Sequence, residues 1–501
     1  MSAEWPEVTI EDIAADQPNA LSTGPFGSAI SSKFFVEKGV PVIRGSNLSA
    51  DPGVKLSDEG GVFLSREKAN EFVRSTVRYG DLIFTCWGTI NQVGLVDEDA
   101  FWSEYIISNK QMKLTVNREK VEPKFLYYVF SSPEKQNEIL ANGIGAAVPG
   151  FNLGQLKKQK VKLPELSVQR WIVRNLESLD KKINHNYRIN QTLEQMAQAI
   201  FKSWFVDFEP VKAKIAARQR WQALQPENEP ASPVCYAAEF DEPPAVGDLE
   251  SYMNRAAMQA IAGKTAAQLD ALRAEDPERY QELYETAALF PSAMQESELG
   301  EIPEGWEVTP FEKLAKLDSS SIKPSENPEK IWEHYSIPAF DAGKAPALDA
   351  GASIKSGKYK VKKTSVLTSK LNPSTSRVWW PEPIDNEAAI CSTEFMQFVP
   401  RSEKLRAFVA GMISSAPFQA GVIASVTGST GSRQRAQPKQ VAKMDVVAPC
   451  EALALRYARQ VRPLFTAQAK NISQSQKLAE LRDTLLPKLL SGEIIPVATE
   501  K

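Results

Sequence analysis

From residue 167 to 204 the chain keeps an apolar or packing position at every third or fourth residue: Ile172, Leu176, Leu179, Ile183, Asn186, Asn190, Leu193, Ala197, Ile200 and Trp204. The spacing alternates four and three, a heptad seam, and neither Pro nor Gly interrupts it. At about 1.5 Å per residue this stretch predicts a rod of roughly 57 Å. A second, less regular seam lies in 450–490, through Tyr457, Val461, Leu464, Asn471, Leu478, Leu481, Leu485 and Leu489. It holds Pro463 and Pro487, either of which can kink or end a helix. Two long seams in one chain predict an antiparallel pair, joined through Asn186, Leu193 and Ile200 on one helix and Asn471, Leu478 and Leu485 on the other. The two asparagines lie near the helix middles, where a polar seam residue fixes register and where they would meet near a pseudo-dyad axis. Two separate helical hairpins are the alternative.

Ahead of each seam the pattern changes to short strands and turns. In the first such segment Val40–Arg44, Gly80–Thr85 and Gln111–Leu114 read as strands, Pro123–Asn142 as a helix, and Gly143–Gly150 as a loop. The second has the same grammar: strands at Ser365–Thr368 and Glu394–Val399, a helix over 403–416, and a Gly/Ser/Thr/Arg loop at 427–435. Both predict small α+β domains.

The two halves are also related in sequence. Trp5, Glu11, Ile13 and Ala14 recur as Trp306, Glu312, Leu314 and Ala315, 301 residues on. Lys158–Pro164 corresponds to Lys443–Pro449 with an offset of 285, which continues through Asn186 on Asn471, Leu193 on Leu478 and Ile200 on Leu485. Similar ends around dissimilar middles imply one task carried out twice on two targets. The expected organisation is an α+β domain over 1–165, a long helix over 166–206, an acidic connector over 207–299, a second α+β domain over 300–449 and a second long helix over 450–492.

Charge sharpens the picture. The net charge is −3, but residues 226–299 hold 15 acidic against 4 basic side chains, leaving 47 acidic and 55 basic elsewhere. The four cysteines are scattered and the two histidines are far apart, so a His/Cys zinc site is not expected and a reduced cytoplasm is. No apolar run is long enough to span a membrane, and Met1–Trp5 carries no secretory pattern. Enzyme signatures fall short one by one. Ala262-Gly-Lys-Thr265 lacks the upstream glycine of a phosphate loop. Asn142-Gly-Ile-Gly follows a helical stretch where a cofactor loop would open one. Asn372-Pro-Ser-Thr375 lacks the second Pro and the aromatic of an amino-methyltransferase, and Glu122-Pro-Lys124 lacks an upstream Pro-Asp.

The candidate chemistry is contact with DNA. Lys355, Lys358, Lys360, Lys362, Lys363 and Lys370 crowd into one short stretch, and Ser432-Arg-Gln-Arg435 follows a glycine-rich turn. Arg, Asn and Gln suit base edges, whereas Lys mostly finds phosphate. By chemistry and loop placement the candidates are Lys33, Arg44, Asn47, Asn91 and Gln92 in the first domain, and Lys358, Lys362, Lys370, Arg377, Arg433, Gln434 and Arg435 in the second. A solvated charged surface is the competing reading for any one of them.

In their order, several segments resemble the specificity subunits of Type I restriction–modification systems. They are Gly24-Pro-Phe-Gly-Ser28, Arg44-Gly-Ser-Asn-Leu48, Gly80-Asp-Leu-Ile83, Asn152-Leu153 with Leu163-Pro164, Ile200–Phe208, Ala287-Ala-Leu-Phe-Pro291, Ser297–Trp306 and Leu481–Gly492. The resemblance implies an α+β fold in which two target recognition domains are held apart by two antiparallel coiled-coil helices. It implies that each domain reads half of a bipartite site in double-stranded DNA, and that the chain itself is not catalytic. The implied partners are two modification subunits using S-adenosylmethionine to methylate adenine, and restriction subunits using ATP and Mg2+; no cofactor is expected on this chain, and no membrane partner. The second domain has no counterpart of Gly24-Pro-Phe-Gly near Ser319–Pro324. A helical scaffold with protein-binding lobes, or a fused methyltransferase or nuclease, would be the alternatives.

Overall fold

The computed structural model describes residues 4–58, 60–144, 150–224, 248–427 and 434–496. They form two units, one of residues 1–186 with 474–501 and one of residues 187–473.

In the first unit, Glu7–Thr9 pairs with Lys160–Lys162 and so closes the domain end to end. Between them lies an antiparallel sheet ordered Leu21–Thr23, Gln111–Thr115, Asp81–Thr85, Val93–Leu95. A five-stranded sheet is ordered Phe35–Val36, Val62–Leu64, Val40–Ile43, Glu104–Ile107, Thr76–Arg78, with Val40–Ile43 and Glu104–Ile107 parallel. The single helix expected over 123–142 is two, Pro123–Ser131 and Pro133–Ala141. Pro133 has no N–H to continue the first, and Ser132 turns extended so that its hydroxyl caps the second at the Lys135 N–H. Phe84, Leu114, Phe125, Leu126 and Phe130 share one core with Ile172 and Leu176 of the first long helix and Leu486 and Leu489 of the second.

The second unit repeats this plan. Glu307–Pro310 pairs with Asp445–Ala448, and the antiparallel sheet is ordered Ala315–Asp318, Phe395–Pro400, Val366–Ser369, Val378–Trp379. Strand for strand, this is the order of the first unit. The five-stranded sheet again has a central parallel pair, Ile331–Tyr335 with Ala389–Cys391. Its short opening strand, Ser321–Ile322, has moved to the opposite edge, beside Lys358–Lys360. The helix expected over 403–416 runs Arg406–Ser414, and a further helix, Ala416–Ala424, follows it after an extended Ser415.

The long helices are Leu166–Phe205 and Glu451–Leu490, 40 residues each. The second runs as one helix through Pro463 and Pro487. In the first unit Asn186 donates to Gln474 and Ser475, and Asp180 accepts from Arg482. In the second, Asn471 donates to Asn190, Gln468 donates to the Asn190 carbonyl, and the Tyr457 hydroxyl donates to the Ala197 carbonyl. Partner numbers fall as residue numbers rise in both units, so the pairing is antiparallel. Asn186 is buried, and Leu193, Ile200, Leu478 and Leu485 are half-buried. One seam position differs from the sequence reading: Leu481 is 46% exposed, and Arg482 is buried in its place. The arginine is held among the carboxylates of Asp51, Asp180 and Asp483. A buried cation is legal here because it is fully paired, which a seam drawn from hydrophobicity alone cannot show.

The expected acidic connector over 207–299 includes a helical module in the second unit: Glu209–Ala223, Leu249–Ala262, Ala266–Glu275 and Pro277–Ala288. Ala257, Met258, Leu269 and Ala287 form its core. Ala262-Gly-Lys-Thr265 is the break between two of these helices. Gly263 ends one in the left-handed region, and Thr265 caps the next.

Candidate nucleic-acid interface

In each unit the loops at one end of the four-stranded sheet gather into a rim. In the first unit this is where Leu21–Thr23 and Asp81–Thr85 end and where Val93–Leu95 and Gln111–Thr115 begin. Backbone hydrogen bonds tie these loops together. The N–H of Cys86 donates to the Lys110 carbonyl at 2.7 Å, Thr85 to Gln92 at 3.2 Å, and Ser108 to Ile43 at 3.0 Å. Gln111 donates to Ser108 at 3.1 Å, and Phe151 to Cys86 at 2.8 Å.

The second rim is built by the same bonds. Lys370 donates to the Glu394 carbonyl at 2.9 Å, Ser369 to Arg377 at 3.0 Å, and Ser392 to Tyr335 at 2.9 Å. Phe395 donates to Ser392 at 3.0 Å, and Ala436 to Lys370 at 2.9 Å. Backbone bonds such as these are indifferent to side chains, and the side chains differ. The first rim is apolar and aromatic at its tips: Phe26 is 83% exposed and Trp87 55%. The Gly24–Ser28 loop lies against Ser108, where a Cβ on Gly24 would collide with the carbonyl, and the Asn109 amide donates to the Gly27 carbonyl. The second rim is ionic. Arg377 forks onto Asp341, and Arg435 forks onto Glu394. Such a pair of rims can present two different arrays of donors, acceptors and apolar groups from one scaffold.

Comparison with known proteins places this plan. The profile of the Type I restriction modification DNA specificity domain matches residues 25–195. The Type I restriction enzyme HindI specificity subunit of Haemophilus influenzae is 27% identical over 490 residues, which is 90% of this chain and 97% of that protein. Over most of its length the chain is thus similar to specificity subunits of Type I restriction–modification systems. The EcoBI specificity subunit of Escherichia coli is 28% identical over 147 residues, 28% of this chain and 30% of its own. The crystal structure of the S subunit from M. genitalium aligns over 99% of this chain and 97% of its own, at 13% identity and a TM-score of 0.44.

The residues singled out from the sequence divide into those on the rims and those engaged elsewhere. Arg44, Asn47, Asn91 and Gln92 all fall on the first rim, but their side chains hold it together. Asn47 is buried, accepting from the Arg44 N–H and donating to the Ser57 carbonyl. Gln92 donates to the Leu48 carbonyl, Asn91 to Gln136, and Arg44 to the Gly60 carbonyl. Asn47 and Gln92 are therefore loop-closing residues, a correction to their sequence-based assignment to base contact. Lys33 is exposed on the turn Ser32–Phe34, with its ammonium over the Phe34 ring.

In the second unit Lys370, Arg377, Gln434 and Arg435 come together on the rim, while Arg433 lies outside the described residues. Lys358 and Lys362 belong to the five-stranded sheet and the loop after it. Lys362 is exposed, but Lys358 is buried and donates to Ser356. Burial pushes its ammonium below the ordinary lysine range, so Lys358 is a poor phosphate contact. Asn372-Pro-Ser-Thr375 is a turn on this rim, entered by a left-handed Asn372 and closed by the Thr375 N–H on the Asn372 carbonyl. The exposed aromatics Phe26 and Trp87 escaped the sequence reading, which looked for charge and amide groups. The matched rims left a faint signal, since Ile106-x-Ser108-x-x-x-Met112 recurs as Ile390-x-Ser392-x-x-x-Met396 at an offset of 284. Among the described residues no group of three or more His, Cys, Asp or Glu side chains could hold a metal ion.

Proposed function

We propose that the chain is the DNA-reading subunit of a Type I restriction–modification complex, and that each rim reads one half of a bipartite site in double-stranded DNA. The observation that carries this is the repeated rim: one hydrogen-bonded scaffold, occurring twice, with unrelated side chains on it. Two copies of a scaffold suit pseudo-two-fold partners, and different tips suit two different half-sites. The helices would set the unread gap. The chain itself would direct chemistry without performing it, in the cytoplasm. Two modification subunits would supply S-adenosylmethionine and methylate adenine, and restriction subunits would supply ATP- and Mg2+-dependent cleavage. Co-expression with cognate modification subunits, followed by mapping of methylated adenines across a genome, tests this. A single bipartite motif with a fixed gap is expected. An assembled complex that leaves no motif, and whose DNA affinity does not fall with salt, would instead favour a helical scaffold with protein-binding lobes.

A further inference from the structure

Arg435 and Glu394 form an ion pair that stability does not account for. It lies on the surface, the arginine side chain 45% exposed and the glutamate 26%. Exposed pairs of this kind contribute little to folding. Its geometry is specific, however. The Glu394 carboxylate takes Nε and Nη2 of the guanidinium, at 3.0 to 3.3 Å. Among the described residues nothing else bonds the Arg435 guanidinium, so the edge formed by Nη1 and Nη2 remains as a fork of donors. Both residues are fixed from below: Glu394 by its carbonyl on the Lys370 N–H, and Arg435 by the Ala436 N–H on the Lys370 carbonyl and by a strand pairing with Thr427. The backbone thus holds both partners, and the carboxylate removes the arginine's rotational freedom.

We infer that Arg435 reads a guanine in the half-site of the second domain, with Glu394 as the residue that positions it. This rests on the DNA-reading function proposed above. Two parallel donors match O6 and N7 of guanine in the major groove, and no other base offers two acceptors there. Glu394 also argues for a base over a phosphate. Paired to a carboxylate, Arg435 carries no net charge to a polyanion, and the glutamate repels phosphate at the same point. A planar fork held in one orientation keeps its value for a base edge. Arg377 makes the same edge-on pair with Asp341, but its side chain is 14% exposed and it joins the loop to the short helix Ile337–Asp341. In the first domain the matching positions are Lys110 and Gly150, and Gly150 lies under the Trp87 ring. The device therefore belongs to one half-site only.

The test uses the full complex with modification subunits and its mapped site. Binding is measured to duplexes that each carry one substituted base pair, for the wild type, R435A, R435K and E394Q. Wild type is expected to lose affinity roughly 5- to 100-fold when one G·C pair of the second domain's half-site is changed. R435A and R435K are expected to lose that discrimination while keeping it at every other position, and E394Q to weaken it at the same position. R435A retaining full discrimination everywhere would overturn the guanine contact. So would an equal loss on every duplex with a salt slope reduced by about one, the mark of a phosphate contact. A wild-type complex that discriminates at no position would contradict the proposed function itself.

Discussion

Gln169 and Ala454 occupy matching positions, 285 residues apart, at the foot of the two long helices. Gln169 is fully buried, donating to the carbonyls of Lys120 and Pro164 and accepting from the Glu122 N–H. In the second unit the alanine lines a cleft of about 400 Å³ with Leu314, Leu405, Phe408 and Pro449. Gln169→Ala would strand three backbone groups, and a loss of about 1–3 kcal/mol is expected in thermal or denaturant unfolding. Ala454→Gln has room, and is expected to leave stability unchanged or raised. Lys214 provides a pH signature. Its buried ammonium donates to the Phe290 carbonyl, and burial pushes its pKa down to about 8 from an ordinary lysine value of 10.5. The folded state therefore sheds this proton more readily than the unfolded chain. The penalty is fully present below about pH 8 and is relieved as pH rises toward 10.5, so stability rises across that window. Urea midpoints measured between pH 7 and 10 should show that rise in the wild type and a flatter profile in Lys214→Met. At this scale the sequence was least informative. Asn47 and Gln92 have the right chemistry for base edges, but a linear pattern does not show that Ser57 and Leu48 carbonyls already claim them.

Matching helices meet the long pair in opposite ways. In the first unit Tyr128 reaches the first long helix through its hydroxyl, which donates to Asp180 at 2.5 Å, beside the buried Arg482. At the corresponding place in the second unit stands Gly411, and Phe201 and Tyr457 fill the space. A Cβ there would lie 2.5 Å from the Phe201 ring and 2.7 Å from the Tyr457 hydroxyl. Gly411→Ala is therefore expected to destabilise the second unit by about 1–3 kcal/mol through overpacking, read as a lower melting temperature with the first unit unaffected. Elements were the most legible level. Heptad spacing located both long helices, and alternation and turn residues located the strands at Asp81–Thr85, Gln111–Thr115 and Phe395–Pro400. The misses have physical causes. Ser132-Pro133 divides a helix that its apolar residues alone would continue. Paired carboxylates let Arg482 sit where the seam reading placed Leu481.

Over the whole chain, duplication was visible at the conserved ends but faded in the middles, because backbone hydrogen bonds preserve a scaffold without preserving side chains. Ser108 and Ser392 survive as matched residues where the N–H of each binds the end of a parallel strand, at Ile43 and Tyr335. The tips around them have diverged: Phe26 and Trp87 on one rim, Arg377 and Arg435 on the other. Divergent tips on one scaffold suit the two half-sites proposed above, and would make the domains exchangeable. The most direct measurement replaces residues 300–449 with the matching domain of a Type I specificity subunit that has a different known site, and maps adenine methylation by the complex assembled with modification subunits. The account predicts that one half of the bipartite motif changes to the donor's while the other half stays as it was. Change in both halves, or in neither, would contradict it.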